Sequence, residues 1–108
     1  MDAFELVDLE ATRRAAGRPY LEAARSPDLS VGLYTLRAGA VDRQSPHTED
    51  EVYVVVDGRA SIEVGGELRA VQPGSVIFVA AGLDHRFRDI VEDLSVVVVF
   101  GPAEGTRG

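Results

Sequence analysis

Apolar and polar residues alternate with a period of two from residue 31 onward, which is the pattern of half-buried β-strands. We predict strands over residues 31–37, 52–56, 60–64, 67–71, 76–79, 85–90 and 94–100. The pair Gly65-Gly66 lies between two of these segments and indicates a two-residue hairpin, because primed turns need positive φ. About seven or eight short strands with glycine turns and almost no helix predict an all-β fold, either an antiparallel sandwich or a small barrel.

The same period predicts which side chains face the interior of the barrel. We expect Tyr53, Val55 and Phe87 to point inward, with Asp89 on the same face as Phe87, and Val52, Val54 and Arg86 to point outward.

The two ends of the chain lack this pattern. The apolar residues at 6, 7 and 9 favour a short strand, and residues 11–16 have a helical composition that Gly17 and Pro19 interrupt. Such an arm often covers the edge of a sheet. We therefore divide the chain into an N-terminal arm (1–30), a barrel (31–100) and a flexible tail (101–108).

Residues 96–99 are all valine, so the last predicted strand is apolar on both faces. Such a strand is covered on both sides, by the opposite sheet and the arm or by another subunit. Together with the loose N-terminal arm, it predicts a homodimer formed by isologous pairing.

Composition narrows the possible functions of this chain, whose 108 residues suffice for one domain. The absence of cysteine excludes disulfides, thiolate zinc sites and a thiol nucleophile. All 11 basic residues are arginine, which excludes Schiff-base chemistry on a lysine amine. The net charge of −7 opposes binding to a phosphate backbone, so we expect no nucleic-acid partner. No apolar run is long enough to span a membrane and the N-terminus does not resemble a signal peptide, so we expect a cytoplasmic protein with no membrane partner.

The two histidines, His47 and His85, are the candidate chemistry of the chain. On one straight strand the Cα atoms of His47 and Glu51 would lie about 13 Å apart, too far to share an ion. A helix is opposed by Pro46 and by the β-branched run after Glu51. We therefore predict a tight connection at residues 48–50 that folds Glu51 back beside His47. His85 follows a turn and starts a strand.

Two imidazoles and one carboxylate can hold one divalent ion of iron, manganese, nickel, cobalt or zinc, with coordination positions left open for a substrate or for oxygen. In the alternative interpretation, His47 is a turn histidine, His85 is a surface histidine and Glu51 is a solvated acid. Spacing alone does not decide between the two.

Two stretches of the chain carry a resemblance to a known family. The first contains Gly39, Ser45, His47, Glu51 and Gly58, and the second contains Gly74, Ala80, Gly82, His85 and Asp89. In order and spacing they resemble the two motifs of a small single-domain cupin, with serine in place of the first histidine, alanine in place of a proline and aspartate in place of an asparagine. The resemblance implies a double-stranded β-helix, the jelly-roll barrel of the cupins, with a short N-terminal arm. It also implies one divalent ion bound by His47, Glu51 and His85.

The serine at position 45 leaves the fourth metal ligand open, because cupins usually offer three histidines and a glutamate. The neighbouring Gln44 is a candidate fourth ligand through its carbonyl oxygen, and the alternative is an ion with three protein ligands and more bound water. On the same resemblance Tyr53, Phe87 and Ser45 are substrate-binding residues that line the cavity, and the alternative for Tyr53 and Phe87 is a plain core position.

The family that this chain resembles includes dioxygenases, isomerases and lyases that act on small molecules. The resemblance therefore implies a metal-dependent enzyme in which the ion binds a small-molecule substrate and Glu51 is catalytic, both as a ligand and as a proton acceptor. The alternative is a non-catalytic barrel that binds a small molecule or carries a structural ion, and the replaced histidine and proline favour it.

Overall fold

The structure, a computed structural model, describes residues 1–44 and 46–106. Over these residues it contains one helix and six strands. In chain order they are α1 (Leu6–Ala16), β1 (Tyr20–Ser26), β2 (Leu29–Leu36), β3 (Asp50–Val64), β4 (Glu67–Val71), β5 (Val76–Val79) and β6 (His85–Gly101). Helix α1 is too short and too polar to cross a membrane, and no other helix lies in the described ranges.

The six strands form one antiparallel sheet in the order β1-β2-β6-β3-β4, with β5 paired to β3. The sheet is not closed into a continuous ring. The prediction of an all-β fold is confirmed. The hairpin predicted at Gly65-Gly66 is also confirmed, since both glycines have positive φ and join Val64 to its partner Glu67.

Strands β3 and β6 are each continuous where the sequence predicts two separate strands. Their pairing runs from Asp50 opposite Gly101 to Val64 opposite His85 and contains three irregularities between Val55 and Ser61. A straight strand of 15 residues would be about 50 Å long, whereas the longest dimension of the molecule is 35 Å. The two strands are therefore strongly bent.

The sequence predicts that a strand ends before Gly58, but in the structure β3 continues through Gly58, which marks this bend. Its φ is 88°, and a Cβ atom at this position would lie 2.2 Å from the carbonyl oxygen of Asp93 on β6. A residue without a side chain is thus required where the two bent strands approach each other.

The N-terminal arm differs from its prediction. Residues 6–9 belong to helix α1 and not to a short strand, because the segment is rich in Leu, Glu, Ala and Arg, which are good helix formers. Arg13 adds an ion pair with Glu10 at 2.7 Å, and the helix ends at Gly17 with a φ of 68°. The predicted boundary at residue 30 is also crossed by the sheet, since β1 pairs with β2 along its length.

The C-terminal segment is not a frayed tail over the residues described, which extend to 106. Ala103 is fully buried. The backbone of Glu104 is held at both ends, since its N–H donates to Ser30 Oγ at 3.0 Å and its carbonyl accepts from Arg25 Nη2 at 2.7 Å. The local composition predicts disorder, but these contacts to β1 and β2 fix the segment.

The predicted directions of the side chains are mostly confirmed. Tyr53, Val55 and Phe87 are buried in the core, and Arg86 is exposed. The prediction for Asp89 is wrong, because this residue is exposed and has a φ of 50°, which breaks the alternation of β6.

The outward-facing valines form part of a larger surface. Val52 lies opposite both Phe78 and Val99, and Val54 lies opposite both Val76 and Val97. Direct cross-strand partners share a face of the sheet. The outer apolar face therefore consists of Val52, Val54, Val76, Phe78, Val97 and Val99. Val76 and Phe78 are the most exposed, at 63% each.

Candidate metal centre

The loops before β3 and before β6 bring the candidate ligands together. The chain bends at Thr48 and Glu49, and β3 starts directly afterwards, so that Glu51 returns beside His47 as predicted. The two loops are also bonded to each other. Gly82 N–H donates to the His47 carbonyl at 2.7 Å, and Ala81 N–H donates to Asp50 Oδ1 at 2.9 Å. His85 follows as the first residue of β6.

The side chains of His47, Glu51 and His85 converge on one point. One ligand atom from each lies within 4.8 Å of the other two. Glu51 and His85 are each 2% exposed, which excludes the interpretation of a surface histidine and a solvated acid. Glu51 lies near one end of the long β3–β6 pairing and His85 at the other end, yet Glu51 Oε1 and His85 Nε2 are 3.0 Å apart.

These two buried atoms have no hydrogen-bond partner of good geometry within residues 1–44 and 46–106. Buried polar atoms are nearly always paired, so each such atom calls for an explanation. The other ring nitrogen of His85, Nδ1, lies 2.9 Å from the Leu83 carbonyl oxygen. Because a carbonyl only accepts, Nδ1 carries the proton, and Nε2 of the neutral ring presents its lone pair to the site. The residues thus fit a bound metal ion.

The electrostatics of the site favour a proton when no ion competes for it. Burial lowers the pKa of His85, but the Glu51 carboxylate and the Leu83 carbonyl raise it, and the net shift is upward. An ion at this position would have to displace that proton.

Gln44 faces the same cavity, but both ends of its amide are engaged. Its Oε1 accepts a hydrogen bond from the Tyr53 hydroxyl at 2.8 Å, and its Nε2 donates to Asp42 Oδ2 at 2.6 Å. The neighbouring Ser45, expected to bind substrate, lies outside the described residues.

A cavity of about 170 Å³ opens beside the candidate ligands. Its wall includes His47, Glu51 and Tyr53. Phe87, which the sequence also assigns to this wall, is buried against the Tyr53 ring, with the ring centroids 4.9 Å apart. Tyr53 remains a neutral hydrogen-bond donor, because burial and then the Glu51 carboxylate raise its pKa.

Sequence reasoning missed four residues at or beside the cavity. Tyr20, Tyr34 and Glu104 line it together with the apolar side chains of Val98 and Phe100. The fourth, Asp42, is 3% exposed and accepts hydrogen bonds from Tyr34 OH at 2.8 Å, from Gln44 Nε2 at 2.6 Å and from Phe87 N–H at 2.9 Å. Their burial depends on contacts between distant segments, so the local pattern offers no signal for it.

Comparison with known proteins gives the family. Residues 32–100 match the family model described as the cupin domain. The chain is a cupin. A protein of Streptomyces coelicolor described as uncharacterized is 54% identical to this cupin over 104 residues, which are 96% of this chain and 99% of the relative. The predicted membership of the family is thereby confirmed.

Solved structures support the fold of this cupin. The structure of KdgF from Halomonas sp. is similar with a TM-score of 0.73 and 26% identity, over 82% of each chain. The structure of TT1209 from Thermus thermophilus has a TM-score of 0.78 and 24% identity, over 95% of this cupin and 99% of that chain. An RmlC-like cupin from Shewanella frigidimarina has a TM-score of 0.71 and 20% identity, over 82% and 79%. The predicted jelly-roll architecture is confirmed.

The geometry explains one departure of this cupin from the family motifs. Asp89 stands where the second motif has asparagine, and its φ of 50° lies in the left-handed region. Asparagine and aspartate are the residues other than glycine that adopt this conformation most readily. The exchange therefore preserves the backbone at this point of β6.

Proposed function

We propose that this cupin is a metal-dependent enzyme that acts on a small, oxygen-bearing molecule in its cavity. The proposal rests on one observation, the convergence of Glu51 Oε1 and His85 Nε2, two buried atoms 3.0 Å apart that have no well-formed hydrogen bond among the described residues, with His47 at the cavity wall. An unsatisfied buried polar atom costs about 1–3 kcal/mol. A divalent ion of iron, manganese, nickel, cobalt or zinc would satisfy both atoms, because such ions prefer imidazole and carboxylate ligands.

The chain's own residues divide the work of such a site. His47, Glu51 and His85 would hold the ion, which when bound supplies a Lewis acid that polarises a substrate oxygen. The Leu83 carbonyl fixes the His85 ring in the tautomer that binds. Glu51 is our candidate catalytic residue. Its carboxylate is shielded from bulk water and lies in the wall of the cavity, where it can take a proton from the substrate.

We favour three protein ligands over four. Gln44 Oε1 already accepts the Tyr53 hydrogen bond, and Gln44 Nε2 is tied to Asp42, so the amide is held by its neighbours. On this view Gln44 orients Tyr53 at the substrate cavity, and water completes the coordination of the ion.

Metal analysis tests the proposal directly. Protein purified without added metal should contain about one divalent ion per chain. The exchanges His85→Ala and Glu51→Gln should each remove most of it, whereas Arg86→Ala, an exposed neighbour on β6, should retain it. The metal centre would be refuted if the His85→Ala protein kept its full metal content and a chelator did not change the melting temperature of the wild type.

A second measurement separates the reaction types. Proton transfer by Glu51 suits an isomerase or a lyase, which turn over substrate without consuming oxygen. Oxygen uptake that depends on substrate would instead identify a dioxygenase. A loaded protein that binds small molecules but converts none of them would identify a non-catalytic binding barrel.

We also propose that the protein is a homodimer that pairs through the outer apolar face. Exposed contiguous apolar surface of this kind is typical of interaction sites. A face formed by three antiparallel strands can be self-complementary under a two-fold axis. The composition further supports a cytoplasmic protein without nucleic-acid partners, since the chain has no cysteine and a net charge of −7.

A further inference from the structure

The cavity wall carries a second unsatisfied group away from the candidate metal ligands. The hydroxyl of Tyr20 is buried and has no hydrogen-bond partner within the described parts of the chain. Burial, and then the carboxylate of Glu104, raise the pKa of Tyr20, so the phenol stays protonated and is a hydrogen-bond donor. The cavity is lined by both residues, and a ligand there would supply the missing acceptor.

Gly32 on β2 makes room for this phenol. A Cβ atom at position 32 would lie 2.4 Å from Tyr20 Oη and 2.5 Å from Tyr20 Cζ, so the ring lies directly over the glycine. Any larger residue would move the hydroxyl away from its present place. The absence of a side chain at position 32 therefore determines where Tyr20 faces the cavity.

The position of Glu104 is also fixed by its contacts. Its backbone N–H and carbonyl are tied to Ser30 on β2 and Arg25 on β1, and the residue before it, Ala103, is fully buried. Its carboxyl is half-buried in the cavity wall. Burial raises the pKa of Glu104, and His47 opposes the shift. A carboxylate in such surroundings gains from a donor group on a ligand.

We propose that Tyr20 and Glu104 form a ligand subsite that binds a hydroxyl group at the far end of a small molecule whose other end faces the metal centre. The phenol donates a hydrogen bond to the hydroxyl oxygen, and the carboxylate accepts a hydrogen bond from the hydroxyl O–H. The inference rests on the proposed function only for the orientation of the ligand. A second negative charge at that end would be repelled by Glu104, and a methyl group would leave both protein groups unpaired.

The size of the cavity limits the ligand further. An apolar protein cavity of about 150 Å³ holds benzene, and the cavity here is about 170 Å³. The preferred ligand is then a hydroxylated carboxylate or ketone of about six non-hydrogen atoms. Residues 20 and 104 both lie outside the range 32–100 that matches the family model. The subsite is therefore built by the segments that flank the shared cupin domain.

Three acids of the same chain type test the subsite, namely 3-hydroxypropionate, butyrate and succinate, which end in a hydroxyl, a methyl and a carboxylate. Their dissociation constants are measured by calorimetry on zinc-loaded and on zinc-free protein. We expect wild type to prefer 3-hydroxypropionate over butyrate by about tenfold or more, the effect of a hydrogen bond to a charged group. Succinate should bind no better than butyrate.

The variants Tyr20→Phe and Glu104→Leu should reduce this preference to near one. The matched control Glu67→Gln, an exposed acid on β4 that does not line the cavity, should leave it unchanged. Thermal unfolding of each variant checks that the fold is kept. If Glu104→Leu disturbs the C-terminal segment, Tyr20→Phe still tests the subsite, because it removes only the hydroxyl oxygen.

The outcomes separate the two proposals. Equal binding of 3-hydroxypropionate and butyrate by wild type, or a preference that survives in both variants, overturns the subsite. A protein that takes up no zinc overturns the metal centre instead, and the subsite is then decided by the same ratio in the zinc-free protein.

Discussion

Replacing Asp42 should destabilise the protein more than any exposed acid does. Its two carboxylate oxygens accept three hydrogen bonds, from the Tyr34 hydroxyl, the Gln44 amide and the backbone N–H of Phe87. In Asp42→Ala the Phe87 N–H loses its partner in a buried position, at a cost of about 1–3 kcal/mol. Tyr34 and Gln44 border the cavity and can find water, so each should add about 0.5–1.5 kcal/mol. The expected loss is about 2–6 kcal/mol out of a total stability of about 5–15 kcal/mol.

Urea unfolding in the presence of a chelator measures this loss, followed by circular dichroism and tyrosine fluorescence. The milder Asp42→Asn keeps the shape and one oxygen, and it should cost less than Asp42→Ala, about 1–2 kcal/mol. Glu92→Ala, which removes one end of an exposed ion pair with Arg59, should cost less than about 1 kcal/mol. Our account of the network is refuted if Asp42→Ala and Glu92→Ala unfold at the same urea concentration with the same slope.

Four further results are expected. In chelator-treated protein, His85 contributes stability below about pH 6.5, and this contribution is lost as the pH rises through the raised folded-state pKa of His85. Zinc-loaded protein should instead gain stability over the same pH interval. Urea unfolding of wild type and of His85→Ala at several pH values should show these opposite signs in the difference between the two proteins. Gly58→Ala should lower the unfolding free energy by more than the roughly 1–2 kcal/mol of positive-φ strain, because its Cβ also meets the Asp93 carbonyl, and an unchanged melting temperature would contradict this. Phe78→Glu should convert a dimer to a monomer in light scattering at micromolar concentration, and a wild-type monomer would end the dimer proposal. Gln44→Ala should keep the metal content and weaken substrate binding, and a clear loss of metal would make Gln44 the fourth ligand.

The return of Glu51 beside His47 could be predicted from the sequence because its signals are local. Pro46, the polar connection after His47 and the period of two after Glu51 are all readable within a few residues. The full set of candidate ligands followed from the family resemblance, because spacing alone did not decide it. The glycine at 58 shows the limit of such signals. An Asp-Gly pair correctly predicts positive φ, but a β-bulge inside a continuous strand uses the same residues as a turn at its end.

The remainder of the cavity could not be predicted in this way. Tyr20 and Glu104 are far apart in sequence and meet only because β1 pairs with β2 and residues 102–106 pack against both strands. Asp42 stands between Val41 and Arg43 with nothing in its neighbourhood to indicate burial. Two of its partners, Tyr34 on β2 and Phe87 on β6, reach it through packing that no short window contains.

The curvature of β3 and β6 couples the metal centre to the shape of both strands. These strands form one long ribbon, and Glu51 and His85 come from its opposite ends. An ion bound by both side chains would therefore hold the two ends of the bent ribbon together. Its removal would relax curvature along the entire ribbon, so residues at the middle of the ribbon, around Asp57 and Ser95, should respond to the ion although they never touch it.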